Sequence, residues 1–311
     1  MSAATKPAFA RLDASISPRV SFTRSTVVAD FLALTKPEVN FLILITTFAG
    51  FYLGRAAGWR DFPYWVSINT LLGTLLVASG TGTLNQYLER RFDAQMRRTA
   101  RRPLADGRLK PGVVLCFGLA LSLLGSVYLM VAVNFLASLL AVATLLSYLL
   151  IYTPLKRKTS VCTLIGAFPG AMPPLIGWAA ASGSLNFKAL TLYAILFLWQ
   201  FPHFMAIAWM YREDYARAGY LVLPAGPNAR ASLVRLQTVL PLLALVPLSV
   251  LPMWMGEAKF YVIGALMLGV GFFYYGAQFV ACRSNSAARH LLAASIIYLP
   301  ALFAVMVLAH H

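Results

Sequence analysis

Acidic residues are scarce in this chain. Only 10 Asp and Glu stand among 311 residues, against 26 Lys and Arg, and charged residues of both signs make up just 12%. The longest polar stretches, 89–111 and 211–235, are too short for a separate water-soluble domain, and no low-complexity segment is present. The three cysteines, Cys116, Cys162 and Cys282, are scattered without Cys-x-x-Cys spacing, which excludes zinc and iron–sulfur centres of the usual kind. They read as small apolar helix residues. Histidine is nearly as rare, and His203 is the only one before residue 290. The first 30 residues mix Ser, Thr and Arg with one acid, Asp13, and lack the apolar core and cleavage site of a secretory signal. Residues 1–33 read instead as a flexible cytoplasmic tail ahead of a single transmembrane domain over 34–311.

What the chain has in quantity is apolar surface: 59% of residues are hydrophobic and the mean hydropathy is +0.72. This is the composition of an integral membrane protein. Apolar runs near the ~20 residues needed to span a bilayer lie at 39–58, 64–88, 112–132, 134–152, 160–182, 190–211, 236–255, 260–281 and 290–309. The runs are continuous rather than alternating, which favours helices over a barrel. The expected fold is therefore an all-α bundle of about nine transmembrane helices. Numbering the loops on that basis puts 22 of the 26 Lys and Arg on one side, leaving Arg55, Arg60, Lys188 and Lys259 on the other. By the positive-inside rule the N terminus is cytoplasmic. The net charge of +16 is thus mostly topogenic, and with no soluble basic domain it argues against a nucleic-acid partner.

Chemistry concentrates where the second run ends. Asn85, Glu89 and Asp93 are spaced four residues apart, and at about 100° per residue they form one oxygen-rich helix stripe roughly 12 Å long. Hard oxygens suit Mg²⁺, which keeps most of its positions for water and phosphate oxygens. Arg97, Arg98, Arg101 and Arg102 follow at once and suit the phosphate. A second polar sequence closes the sixth run, where His203 and Asp214 lie 11 residues apart. On a continuous helix that places them on one face about 16 Å apart, with His203 deep in the membrane and Pro202 able to kink the helix between turns. Each feature has a plainer reading: arginines as topology determinants, Asn85 as an interhelical hydrogen-bonding residue, Glu213 as a solvated edge acid, and Lys36-Pro37 as a helix start. Pro173-Pro174 reads as a helix break. A secondary transporter of an anionic solute would place charges near the midplane and matching broken helices in two halves; here the charges gather on one face.

At this point the chain resembles the UbiA-type intramembrane prenyltransferases. Their signature Asn-Asp-x-x-Asp-x-x-x-Asp is matched as Asn85-Gln86-x-x-Glu89-x-x-x-Asp93. Further strings, in order, narrow the resemblance to heme-farnesylating members. They are Leu34 to Pro37, Asp93 to Met96 with Arg98, Thr99 and Arg102 to Leu104, Tyr152 to Thr159, Gly170 to Trp178, and Trp199 to Phe204 followed by Asp214, Tyr215, Ala218 and Gly219. Gln86 and Glu89 stand where the wider family has aspartates, and the second acidic motif is thinned to Glu213 and Asp214. The resemblance implies transfer of the farnesyl group of farnesyl diphosphate to a vinyl group of heme B, giving heme O and pyrophosphate. It further implies Mg²⁺ as cofactor, held by Asn85, Asp93 and Asp214 with Glu89 and Glu213 as additional candidates. Arg98, Arg102, Lys156 and Arg157 become the expected diphosphate clamp, and His203 an axial ligand or positioning group for heme, with proton transfer as a second role. The same resemblance places the protein in the bacterial inner membrane rather than the mitochondrial one, with a heme A synthase or oxidase assembly factor as possible recipients of product. An aromatic acceptor such as 4-hydroxybenzoate is the nearer rival to heme.

The topology is testable without reference to any family. Cysteines introduced at positions 98, 156 and 212 should be labelled from the cytoplasmic side, and those at 188, 259, 310 and 311 from the other. Labelling of positions 98 and 188 from the same face of intact cells and inverted vesicles would break the nine-span arrangement.

Overall fold

The computed structural model describes residues 26–55, 61–224, 226–252 and 259–309. The expected tail residues Lys6, Arg11, Arg19 and Arg24, and Arg60, Trp254, His310 and His311, lie outside the described residues. Among those described there is no strand. Residues 27–33, assigned to the tail on sequence, begin helix α1 (Val27–Thr35), capped by the Thr26 hydroxyl and packed through buried Asp30 and Leu34.

The bundle follows as α2 (Pro37–Leu53), α3 (Tyr64–Asp93), α4 (Pro111–Ala132) and α5 (Phe135–Leu146). A π-helical segment (Ser147–Tyr152) joins α5 to a last turn, α6 (Thr153–Leu155). Then come α7 (Cys162–Gly170), α8 (Pro173–Ser182), α9 (Phe187–Met210), a short α10 (Arg212–Arg217), α11 (Pro227–Val250), α12 (Lys259–Cys282) and α13 (Asn285–Ala309). Proline opens α2, α4, α8 and α11, where its missing N–H has no helical acceptor to serve. Asn134 and Asn186 cap α5 and α9 by accepting from the backbone N–H three residues on.

Among the described residues, seven helical segments are long and apolar enough to cross a membrane, from Pro111–Ala132 through Asn285–Ala309. The protein is a multi-pass membrane protein. Two of the nine expected spans fall short for physical reasons. Helix α2 has 17 residues, and α3 carries a file of Ser, Thr, Asn and acidic residues turned into the bundle. At 30 residues α3 is about 45 Å long, so its last turns reach past a ~30 Å hydrocarbon core into the interface. Boundaries also moved: α3 continues to Asp93, α11 begins at Pro227 rather than 236, and α13 at Asn285 rather than 290. Surface helices need no apolar residues on the turns that leave the membrane, so hydropathy marks their ends too early.

Two of the breaks fall at prolines. Pro154 has no N–H to give the carbonyl four residues back, and the N–H of Thr153 reaches Tyr148 in the wider turn of the π segment. Pro173-Pro174 ends one helix and starts another, as expected. Helices α3 and α4 pack together, α13 closes the ring against α2 and α9, and α8 crosses against α2. The α2–α8 crossing has almost no room. A Cβ on Gly50 would lie 2.1 Å from the Pro174 carbonyl oxygen, and one on Gly177 only 1.9 Å from that of Thr47. Close backbone approach through small residues is the usual basis of helix association in lipid. Gly177→Ala should therefore cost about 1–3 kcal/mol or more, read as a lower thermal midpoint in detergent. Gly112→Ala, where nothing lies within 4 Å, should be neutral or slightly stabilising.

Candidate active site

The stripe on α3 exists as the spacing predicts. Asn85, Glu89 and Asp93 are 2%, 6% and 1% exposed and occupy its cytoplasm-assigned end. Asn85 Nδ2 donates to Glu89 Oε2 at 2.7 Å. Thr153 Oγ1 lies 2.9 Å from both Asn85 Oδ1 and the Tyr148 carbonyl, sharing its proton between them. Lys156 Nζ donates to Glu89 Oε1 at 2.9 Å, with the rings of Tyr152 and Tyr148 at 4.6 and 5.9 Å. Burial opposes the Lys156 ammonium, but Tyr152 and then Glu89 outweigh it and hold its pKa above the ordinary lysine value.

One turn on, Arg102 Nη1 donates to Asp93 Oδ2 at 2.7 Å. The segment after α3 folds back over the helix end, and Thr99 Oγ1 donates to the Asp93 carbonyl at 2.8 Å. Two apolar clusters hold this cap down. Leu104 and Leu109 pack with Leu34 of α1, and Met96 packs with Ala218 and Tyr220 beyond α10. Arg108 ties the cap to Asp30 of α1 at 3.1 Å.

Asp214 meets the same cap from the other side. Its Oδ2 accepts from the Arg98 N–H at 3.3 Å and its Oδ1 from Arg217 Nη1 at 3.2 Å. The two polar stretches therefore face each other. Glu213 does not join them: its side chain is 77% exposed and reaches only Arg212, at 4.0 Å. Arg98 and Arg157 are exposed, their guanidinium groups 4.9 Å from the Tyr211 ring and 4.2 Å from the Phe92 ring. A cavity of about 590 Å³ opens beside the stripe, lined by Glu89, Phe92, Leu149, Thr153, Arg157 and Tyr220 among others.

Two residues in this cluster were not singled out on sequence. Lys36 reads as a helix start, but it is the left-handed residue between α1 and α2, at φ 54°. Asn40 Nδ2 pins that turn by donating to the Thr35 carbonyl at 2.8 Å and to Ser79 Oγ of α3 at 2.9 Å. The Lys36 stem then runs past Gly82 on α3, whose missing Cβ would sit 3.5 Å from Lys36 Cδ. Burial, reinforced by Arg102 and Lys156, lowers its pKa to about 7. Its place before proline, within the Leu34 to Pro37 string, was the available signal. Tyr220 is buried beside Glu89, and burial followed by that carboxylate pushes its phenol above the ordinary value, so it stays a donor. No spacing links it to α3.

His203 stands apart from the acids. The continuous-helix reading fails because α9 stops at Met210 and Tyr211, at φ −105° and ψ 20°, turns the chain into α10. Pro202 sits within α9 without ending it. His203 bonds instead to Ser295 of α13, at 2.8 Å.

The UbiA prenyltransferase family matches residues 43–304. This chain belongs to that family. A curated prenyltransferase of Solibacter usitatus named "Protoheme IX farnesyltransferase" is 46% identical over 287 residues, covering 90% of this chain and 98% of the relative. Among solved structures, one described as a digeranylgeranylglyceryl phosphate synthase superposes with a TM-score of 0.73 at 17% identity, over 91% of this chain and 98% of that one. A UbiA homologue from Archaeoglobus fulgidus bound to GPP and Mg²⁺ gives 0.63 at 15% identity, over 89% and 99%. At such identities the structures establish a shared fold.

The residues present fit a Mg²⁺ of the kind held mainly through substrate and water. Asp93 Oδ1 is buried with no hydrogen-bond donor, an unpaired carboxylate oxygen that a cation would satisfy. Asn85 and Glu89 are engaged with each other and with Thr153 and Lys156, and among the described residues no three His, Cys, Asp or Glu converge into a closed protein cage. Mg²⁺ sites with one or two carboxylates and a phosphate need none.

The Glu89–Lys156 pair is largely buried, its side chains 8% and 14% exposed. Lys156→Met leaves the buried carboxylate without its cation and should cost roughly 3–5 kcal/mol. Glu89→Leu in the same chain should recover most of that. Chemical unfolding in detergent would measure the cycle, and a double variant whose loss equals the sum of the two single losses would mean the pair is not coupled.

Proposed function

We propose that this prenyltransferase moves the farnesyl group of farnesyl diphosphate to a vinyl group of heme B, releasing pyrophosphate and giving heme O. The observation that carries the reading is the buried, alternating cluster of acids and bases at one end of a largely apolar bundle. The protoheme IX farnesyltransferase name of a relative 46% identical over nearly its whole length supports the acceptor.

Lys36, Arg98, Arg102, Lys156 and Arg157 bind the diphosphate. Lys156 and Arg102 already stand on carboxylates, so an arriving anion finds cations oriented and partly desolvated. Asp93, with Asn85 and Asp214, would hold Mg²⁺ directly or through water, with Glu89 within reach and Glu213 on the exposed rim. Bound there, the ion supplies positive charge against which the diphosphate can depart. The allylic C–O bond breaks, and its electron pair leaves with pyrophosphate. The allylic carbon then bonds to the outer vinyl carbon, water adds to the inner one, and a proton is released. Apolar walls keep water from the allylic cation before the vinyl group reaches it. The Tyr148 and Tyr152 rings near Lys156 offer their faces to positive charge.

His203 belongs to the acceptor side, away from the diphosphate. The polar end faces the cytoplasm of a bacterial cell, in its inner membrane, and product passes to a heme A synthase or oxidase assembly factor.

Purified protein in detergent, given farnesyl diphosphate with heme B or with 4-hydroxybenzoate, should convert heme B alone, as read by mass spectrometry. A prenylated aromatic acid with unchanged heme would replace this acceptor by the aromatic one. Asp93→Asn and Asn85→Ala should lower turnover by at least about 10²–10³-fold while the protein stays folded. EDTA should stop the reaction and Mg²⁺ restore it. Full turnover in either variant, or after thorough chelation, would rule out the metal role.

A further inference from the structure

Where α9 meets α13, three side chains and two carbonyls form a closed arrangement that the diphosphate chemistry does not use. His203 is half-buried, and its Nδ1 lies 2.8 Å from Ser295 Oγ. Ser295 is fully buried, and its Oγ lies 2.6 Å from the Leu292 carbonyl oxygen one turn back on α13. Trp199, one turn before His203, stacks on the imidazole with ring centroids 4.7 Å apart and 27° between planes. Its indole N–H donates to the Ser295 carbonyl at 2.8 Å. The ring is therefore fixed in its plane by Trp199 and in rotation by Ser295, and both contacts end on the same residue.

Counting protons decides the tautomer. A hydroxyl has a single hydrogen, and two oxygens approach to 2.6 Å only with that hydrogen between them. Ser295 therefore donates to Leu292, and only lone pairs remain on its Oγ to face His203. Nδ1 must carry the proton and donate it to Ser295. An imidazole with Nδ1–H has its free lone pair on Nε2, and among the described residues no hydrogen bond engages that atom. A histidine that donates Nδ1–H to a fixed acceptor while offering Nε2 is the arrangement proteins use to orient a metal ligand and raise its basicity.

We infer that Ser295 is a positioning residue that fixes His203 in the Nδ1–H tautomer and presents its Nε2 lone pair to the iron of the heme acceptor. The inference rests on the heme-farnesylation reading and adds to it the group that aims the histidine. It also explains the companion contact: Trp199 holds the Ser295 backbone, so α9 itself keeps the hydroxyl aligned on His203.

Ser295→Ala removes the hydroxyl but keeps the carbonyl that Trp199 binds. In the purified full-length protein it should weaken heme B binding about 10-fold, at the low end of what loss of such a partner costs a metal site. It should also move the iron–histidine stretching band of the ferrous complex, while farnesyl diphosphate affinity stays unchanged. The near-isosteric pair Ser295→Thr and Ser295→Val separates hydroxyl from volume: Thr should behave as the parent and Val as Ser295→Ala. Heme affinity and band unchanged in both Ala and Val variants would overturn the positioning role. If His203→Ala meanwhile lost the band, His203 would stand as ligand without Ser295. A His203→Ala protein with the parent spectrum and affinity would overturn the ligand itself. A parent protein that binds farnesyl diphosphate but no heme B would overturn the acceptor reading on which the inference rests.

Discussion

A carboxylate taken out of water must find a cation or hydrogen-bond donors, and most of the site's architecture follows from that requirement. Glu89 and Asp93 are buried at the end of α3, and the cations that answer them come from elsewhere in the chain: Lys156 after α6 and Arg102 from the cap. Asp214 does the same for α10, drawing in the Arg98 N–H and Arg217. Three segments remote in sequence are thus drawn to one place by the need to pair charge. A protein–protein ion pair of this kind adds little net stability compared with apolar packing. It does, however, keep bases oriented in a partly dry setting. On the proposed function a diphosphate would bring its own negative charge, so each base would have a second partner and no cation would be stranded during binding or release.

Such a cluster needs a stem that tolerates polarity within lipid, and α3 provides one. Three of its hydroxyls are satisfied within the helix, as Thr70, Thr81 and Thr83 donate to carbonyls four residues back. Enclosure by α2, α4 and α8 hides the rest. Around it the tight glycine contacts between α2 and α8 leave little freedom to slide. The breaks at Pro154 and at Pro173 let neighbouring chains change direction near the site without opening backbone groups to lipid.

Much of this was legible because two periodicities dominate the sequence. Continuous apolar runs locate the helices, and four-residue spacing puts Asn85, Glu89 and Asp93 on one face. What escaped was anything set by a third element. Lys36 enters the site only because a left-handed turn, pinned by Asn40, directs it along α3, and a sequence shows neither the turn nor its direction. Tyr220 arrives through packing with Met96 and Ala218. Asp214 was expected on a helix with His203, but Tyr211 divides that helix; the apolar run does end at 211, yet the polar residues beyond it do not show that the helix turns there instead of continuing. Glu213 has the right chemistry beside Asp214 yet points outward, since neighbouring residues on a helix differ by about 100°.

That division at Tyr211 separates two tasks. The polar end is built by α3, the cap and α10, where a diphosphate of any prenyl length presents the same charge. The contact between α9 and α13 shares no residue with it. A fold that recurs at 17% identity in a digeranylgeranylglyceryl phosphate synthase cannot by itself decide the acceptor. On the proposed function, acceptor choice would reside in side chains that the diphosphate does not engage, on helices outside the charge pairs. His203, Trp199 and Ser295 meet both conditions: they are fastened to one another across α9 and α13, and none belongs to the acid–base cluster.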